Sequence, residues 1–521
     1  MTARPPARGI GVTPAGSWGH AAGRGAPVPR PARPPSESST GAAVNDAPRT
    51  YDVIVIGAGP VGENVADRTR AAGLSTVVVE RELVGGECSY WACMPSKALL
   101  RPVIARADAR RLPGLAGAAQ APLDAAKVLA RRDEFTSHWK DDGQVGWLDS
   151  VDVDLVRGHG RLTGEREVAV ATPDGGTVRL TARHAVVVAT GTTAALPPMP
   201  GIDDVNPWTS RDATSAKEAP RRLAVVGGGV VAVEMATAWQ ALGSQVTLLV
   251  RGDRLLDRIE PFAGELVADG LREAGVEVRF GANVGSVERD GAHGEVRIGL
   301  EGGARVTADE VLFAVGRRPH TGDIGLETVG LKPGSWLEVD DTCQVTAVPG
   351  GWLYACGDVN HRALLTHQGK YQGRMAGAAI GARAKGEPVD DAPWGAHVAT
   401  ADHAAVPQVV FTDPEVAAVG LSAAEAQQAG RNVKVVDYDL GQVAGASLYG
   451  DDYRGRARMV VDLDRGHLVG VTFVGPGVGE LLHSATVAVA GEVPVDRLWH
   501  AVPSYPTVSE IWLRLLETYR G

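Results

Sequence analysis

Short β-branched runs broken by glycine clusters recur along the chain, and one such unit returns about 170 residues after its first appearance. Tyr51-Asp52-Val53-Ile54-Val55-Ile56 has the unbroken apolar character of a strand buried on both faces. Gly57-Ala58-Gly59-Pro60-Val61-Gly62 follows, then a helical stretch, then a second strand at Ser75-Thr76-Val77-Val78-Val79-Glu80. The second unit opens with Leu223-Ala224-Val225-Val226 and Gly227-Gly228-Gly229. A helix through Ala241 and a strand from Gln245 to Val250 complete it.

Strand, glycines, helix and strand in that order form the dinucleotide-binding pattern. Gly57 makes the turn, Gly59 lets a pyrophosphate approach the helix N-terminus, and Gly62 closes the motif. Glu80, twenty-three residues after Gly57, is placed to accept hydrogen bonds from an adenosine ribose. Two units imply two dinucleotides, most economically a flavin and a nicotinamide cofactor. In the second unit Val250 stands where Glu80 stands in the first, and Arg251 comes next, with Arg254 and Arg258 close behind. A guanidinium suits a 2′-phosphate that a carboxylate would repel, so NADPH is expected over NADH. A surface loop that is merely basic is the competing reading.

Between the units, residues 103–145 read as helical and polar, with Arg131 and Arg132 on a solvated face. Ala185 to Gly191 is a strand ending in Ala-Thr-Gly, and Pro197, Pro198 and Pro200 mark a boundary. Cys356 lies in an apolar run and reads as a buried structural thiol, as does Cys343. From about residue 400 the chain turns to alternating apolar strands.

The 521 residues carry a formal net charge of −10, which argues against nucleic acid as a main partner. No apolar run is long enough to span a membrane. Residues 1–49 are rich in Pro, Ala, Gly and Arg, with only Glu37 and Asp46 as acids. They lack a signal-peptide core and predict a disordered extension, an Arg-rich, acid-poor transit peptide being the alternative reading, so a cytoplasmic protein is expected. No His/Cys cluster has metal-ligand spacing, so no metal is expected.

Gly85-Gly86-Glu87-Cys88-Ser89-Tyr90-Trp91-Ala92-Cys93-Met94-Pro95-Ser96-Lys97 holds the candidate chemistry. Cys93 lies beside a predicted helix start, where a thiolate is stabilised, and Lys97 adds positive charge. A structural disulfide or two unpaired core thiols would explain the pair equally by composition. With only four cysteines in the chain, a secreted disulfide scaffold is excluded.

Gly-Gly-x-Cys-x4-Cys-x-Pro-Ser-Lys resembles the redox-active segment of the FAD-dependent pyridine nucleotide–disulfide oxidoreductases, a group that includes glutathione reductase, dihydrolipoamide dehydrogenase and mercuric reductase. The resemblance runs over residues 50–521 and implies an α/β fold. That fold has two Rossmann-like dinucleotide-binding domains, for FAD and NAD(P), and a C-terminal α+β dimerisation domain. The implied boundaries are 50–197 for the first FAD part, 198–318 for NAD(P), 319–398 for the FAD return and 399–521 for the interface. FAD is implied at Gly57, Gly59, Gly62, Glu80, Lys97, Gly160, Thr190, Gly191 and Asp358. The nicotinamide cofactor is implied at Gly227, Gly229, Arg251 and Gly316.

The resemblance also implies a pairing of Glu234 with Lys97 near the flavin and a Cys88–Cys93 disulfide. Cys93 faces the flavin and Cys88 acts as the outward nucleophile on a small-molecule acceptor. A homodimer follows, because in that family the C-terminal segment completes the other subunit's site. Here the segment is Tyr505-Pro506-Thr507-Val508-Ser509-Glu510, with tyrosine where the family's His-Pro-Thr-x-Ser-Glu has its base. A phenol, ordinarily near pKa 10, is a poor acceptor at neutral pH beside an imidazole near 6.5. Glu510 loses its usual partner, and His500 is a candidate substitute. Mercuric reductase also has tyrosine there but carries a C-terminal cysteine pair, whereas the last cysteine here is Cys356.

Overall fold

A computed structural model describes residues 48–521 except 292–293. Residues 1–47 of the expected extension lie outside the described residues, and strand β1 begins at Arg49. The first β-branched run is a strand because both of its faces are covered. Val53 and Val55 pack with Val78, Val187 and Ile380 on one side, while Ile54 and Ile56 pack with Val77, Val186 and Trp352 on the other.

β1 (Arg49–Ile56), β2 (Thr76–Glu80), β3 (Asp154–Arg157) and β6 (Thr177–Val188) form a parallel array in the order β3-β2-β1-β6. β4 (His159–Gly164) and β5 (Glu167–Ala171) extend it antiparallel beyond β6. α1 (Pro60–Ala71) crosses from β1 to β2.

A second, fully parallel sheet follows. β7 (Arg222–Val226), β8 (Gln245–Leu249), β9 (Glu277–Arg279) and β10 (Glu310–Phe313) stand in the order β9-β8-β7-β10, with α4 (Val230–Ala241) joining β7 to β8. The chain then returns to the first sheet, where β11 (Leu353–Ala355) pairs in parallel with the end of β6. The second dinucleotide unit is therefore inserted between two parts of the first.

α5 (Thr366–Lys385) lies along α1. Gly369, Gly373, Gly377 and Gly381 form one stripe on it at four-residue spacing. A methyl group there would stand 2.7 Å from Val61, 2.9 Å from the Val61 carbonyl, 2.6 Å from Arg68 and 2.7 Å from Ala72. The helices approach this closely because the stripe carries no side chains.

The C-terminal part is a five-stranded antiparallel sheet. β12 (Pro407–Val410), β13 (Glu415–Gly420), β14 (Val433–Asp439), β15 (Arg456–Asp462) and β16 (His467–Gly475) run in the order β12-β13-β16-β15-β14. β16 is buried throughout, between its neighbours and the helices Leu482–Ala490 and Ile511–Arg520. No helix among the described residues is long and apolar enough to cross a membrane.

Candidate active site

Gly85 and Gly86, at φ 107° and 56°, turn the chain from β2 into a short helix, α2 (Gly86–Tyr90). A side chain at Gly86 would stand 2.8 Å from the Gly59 Cα, so the cysteine loop is seated on the first glycine motif. α3 (Cys93–Arg110) begins at the second cysteine itself. The first residue of α5, Thr366, places its hydroxyl 3.3 Å from Cys93 Sγ. Two helix N-termini thus converge on one sulfur, where negative charge is favoured.

Cys88 and Cys93 stand as free thiols close enough to perturb each other's titration. The hydrogen bond from Cys88 brings the Cys93 pKa down to about 6, against the effect of burial, with further help from Thr366 and the Lys97 charge. Donation to Cys93, together with burial, holds Cys88 well above the ordinary thiol range. One sulfur is arranged as thiolate and the other as its proton donor.

Lys97 lies one turn beyond Cys93, and its Nζ donates to Glu234 Oε2 at 2.8 Å. Glu234, on α4, is 3 % exposed, and its other oxygen accepts from Phe411 N at 3.0 Å. The Lys97 ammonium also stands 4.9 Å over the Phe411 ring. A buried carboxylate without such partners would be costly. The pair joins the cysteine helix, the second dinucleotide unit and the C-terminal sheet at one point.

The loop that carries the cysteines is clasped from outside. Arg211, on the short helix Ser210–Ser215, donates from Nε to Glu87 Oε2 at 2.7 Å and from NH2 to Glu82 Oε2 at 2.9 Å. Its guanidinium lies 4.2 Å over Trp91, whose carbonyl accepts from Thr214 Oγ1 at 2.7 Å. Trp139 Nε1 donates to the Tyr90 carbonyl at 3.2 Å.

Arg132 supports this clasp and corrects the expectation of a solvated face. It is 0 % exposed, donates to the Thr214 and Ala216 carbonyls, and packs over Trp139. A helix pattern with a charged residue does not reveal that backbone carbonyls from residues 214–216 await that charge. Arg211 was also outside the expected set, and Glu87 and Trp91 had no assigned role within the cysteine segment; only the fold brings these three together.

The glycine motifs shape a cavity of about 920 Å³ that runs from Glu80 past Gly57 and Gly59 to Cys93, Lys97 and Glu234. At Gly57 a side chain would stand 2.4 Å from the Ala189 carbonyl, and at Gly62 only 2.0 Å from the Gly57 carbonyl. Glu80 ends β2 and accepts from the amides of Ala58 and Glu82, each at 2.8 Å. Burial pushes its carboxyl up against the pull of those amides. Gly160, Thr190, Gly191 and Asp358 all line the same wall. Asp358 Oδ2 accepts from Thr192 Oγ1 at 2.5 Å.

In the second unit Gly227 turns at φ 135°, with the Ala314 carbonyl 2.4 Å from where its side chain would begin. Gly229 caps α4, and Gly316, at φ 138°, has open space above it. Val250 is buried beyond the end of β8, while Arg251, Arg254 and Arg258 are exposed. Among the described residues none of these three arginines pairs with a carboxylate.

Tyr505, Glu510 and His500 do not line the cavity within the chain. Tyr505 is 77 % exposed, whereas Glu510 is buried with Oε2 lacking a hydrogen-bond partner. His367 lines the cavity, with Nε2 2.7 Å from the Pro407 carbonyl. No group of three or more His, Cys, Asp or Glu suited to a metal ion occurs among the described residues.

A sequence profile of the pyridine nucleotide-disulphide oxidoreductases matches residues 51–378, and one of that family's dimerisation domain matches residues 406–515. The chain belongs to this family. Dihydrolipoyl dehydrogenase 3 of Pseudomonas aeruginosa is 34 % identical over 476 residues, covering 88 % of this chain and 96 % of its own. Mercuric reductase of Streptomyces lividans is 32 % identical over 474 residues, covering 90 % and 96 %. Among solved structures, LpdA of Mycobacterium tuberculosis superposes with a TM-score of 0.76 at 26 % identity, covering 90 % of this chain and 99 % of its own. RclA, a flavoprotein disulfide reductase of Escherichia coli, has the same TM-score and coverage at 22 % identity and shares the fold.

The protein is therefore a flavoprotein oxidoreductase that uses FAD and a pyridine nucleotide. The first glycine cradle fits FAD: it is closed to side chains where a pyrophosphate must pass, and it ends in a buried carboxylate suited to ribose hydroxyls.

Proposed function

We propose that the protein is an NADPH-dependent reductase whose Cys88–Cys93 pair passes electrons to a small disulfide-type acceptor. When bound, FAD supplies the two-electron relay between the nicotinamide and the cysteines. The seating of the Cys93 sulfur at two helix N-termini, 3.3 Å from the Thr366 hydroxyl and next to the Cys88 thiol, carries this reading. Cys93 is held as thiolate by Thr366 and the two helix N-termini, which keeps it on the cavity side. Cys88 keeps its proton until an acceptor draws it outward, and it is then the sulfur that attacks the acceptor disulfide.

Lys97 and Glu234 fix each other where the two dinucleotide units meet, holding a positive charge beside the reacting atoms. Arg251, with Arg254 and Arg258 behind it, recognises the 2′-phosphate of NADPH. That none of the three pairs with a carboxylate among the described residues supports that choice. The dimerisation domain supports a homodimer, in which the Tyr505–Glu510 segment faces the acceptor site across the interface.

Anaerobic titration with NADPH and NADH in parallel tests this reading. A long-wavelength absorbance band after two electrons, formed preferentially with NADPH, is expected. Direct bleaching of the flavin without that band would exclude the cysteines as electron acceptors.

Tyr505 favours a second reading, in which a quinone or metal ion draws electrons from the flavin directly and no base is needed. Cys88→Ser separates the two. It abolishes turnover in the first reading and leaves it in the second.

A further inference from the structure

A second pair of cysteines lies beneath the cavity. Cys343 and Cys356 are 0 % and 1 % exposed and share one core cluster with Tyr354, Ala376 and Ile380. Regular strand geometry would keep them apart. Cys343 N donates to the Asp340 carbonyl at 2.9 Å in a tight turn, and Gln344 bridges Tyr354 antiparallel. Ala355 N donates to the Cys343 carbonyl at 2.9 Å, which sets residue 343 opposite Ala355. Opposed residues direct their side chains to the same face of a sheet. Ala355 and Val345 both pack into the other core, with Leu337 and Trp352.

Cys343 departs from that face because its φ is 64°, in the left-handed region where glycine or asparagine is favoured. The turn delivers its side chain to the Cys356 side, into the same core cluster, where burial and the neighbouring Cys356 sulfur hold its thiol well above the ordinary range.

We propose that Cys343 and Cys356 form a second oxidisable pair, which peroxide closes into a disulfide tying the 340–344 turn to the segment that carries Asp358. Cys356 is the member of the pair whose residue borders the cavity, so the oxidant reaches it from that side. That sulfur takes one oxygen of hydrogen peroxide, giving a sulfenic acid and one water. The Cys343 sulfur then displaces the oxygen as a second water, forming the S–S bond. The two thiols lose two electrons and two protons, and the peroxide gains both. This inference does not depend on which acceptor Cys88 serves.

The test uses the full-length holoenzyme, treated with hydrogen peroxide, quenched, denatured in N-ethylmaleimide without reductant and digested with trypsin. No Lys or Arg stands between Cys343 and Cys356, whereas Arg317, Arg318 and Lys332 precede them, so both fall in one peptide apart from Cys88 and Cys93. The expected product is that peptide unalkylated and two hydrogens lighter than the dithiol, becoming doubly alkylable after dithiothreitol. A peptide still doubly alkylated after peroxide overturns the proposal. So does Cys356 recovered as sulfinic acid beside an alkylated Cys343. Closure also raises the temperature of FAD release by several degrees, and an unchanged release temperature would overturn the tie to Asp358.

Discussion

Arg211 Nε meets Glu87 Oε2 at 2.7 Å although the residues are 124 apart in sequence, and Glu87 directly precedes Cys88. The helix leading into the second dinucleotide unit therefore grips the redox loop of the first. Arg211→Met leaves Glu87 with one distant guanidinium, Arg317 at 3.9 Å, and removes the cover of Trp91. With both partners only partly exposed, the loss is about 1–2 kcal/mol. We expect a lower melting temperature and a weaker long-wavelength band on two-electron reduction. Arg211→Lys should restore less than half of the effect, because one ammonium cannot serve Glu82, Glu87 and the ring together.

The Cys93 thiolate sets a pH dependence. Its pKa of about 6 lies below the ordinary thiol value, so the charged form persists above that pH and is lost below it. In two-electron-reduced enzyme the long-wavelength band should fade as pH falls through about 6. Thr366→Val removes one hydrogen bond to the sulfur and should move that midpoint upward. An unmoved midpoint would show that the hydroxyl does not stabilise the charge.

Lys97→Met strips the ammonium from Glu234, which is then held only by the Phe411 amide. Removing a preorganised charge beside reacting atoms slows a step by about 100-fold or more. Stopped-flow measurement of flavin reduction by NADPH should show this loss, with FAD still bound.

Arg251→Glu places a carboxylate at the end of the strand that ends in Val250. A charge-assisted phosphate contact is worth about 1.5–3 kcal/mol. NADPH should lose about 10- to 100-fold in kcat/KM while NADH gains, and equal losses for both would argue against 2′-phosphate recognition.

The fold and much of this site were legible because dinucleotide binding constrains neighbours in sequence. A turn, a close approach and a terminal carboxylate must fall at fixed spacing, which is why Gly57, Gly62 and Glu80 lie together in the cavity wall or beneath it. Lys97 and Glu234 were legible only through resemblance, since no local spacing links two helices in different units. Arg211 and the role of Arg132 were not legible at all. Each acts by reaching a partner brought near by tertiary packing, and Arg132 looked solvated because charge in a helix pattern is ordinarily exposed. Cys343 is buried as its reading predicted, whereas nothing in its local sequence marks the left-handed backbone it adopts.

The glycine stripe on α5 makes the helix behave as a strut with no play. Its first turn carries Thr366, so the hydroxyl beside Cys93 is located by methyl-sized clearances along α1. Mutational tolerance should therefore decay along this helix in an unusual way. Gly381→Ala, four turns from the sulfur, should disturb Cys93 through a rigid displacement of the whole rod, while larger changes on the helix's outer side leave it undisturbed.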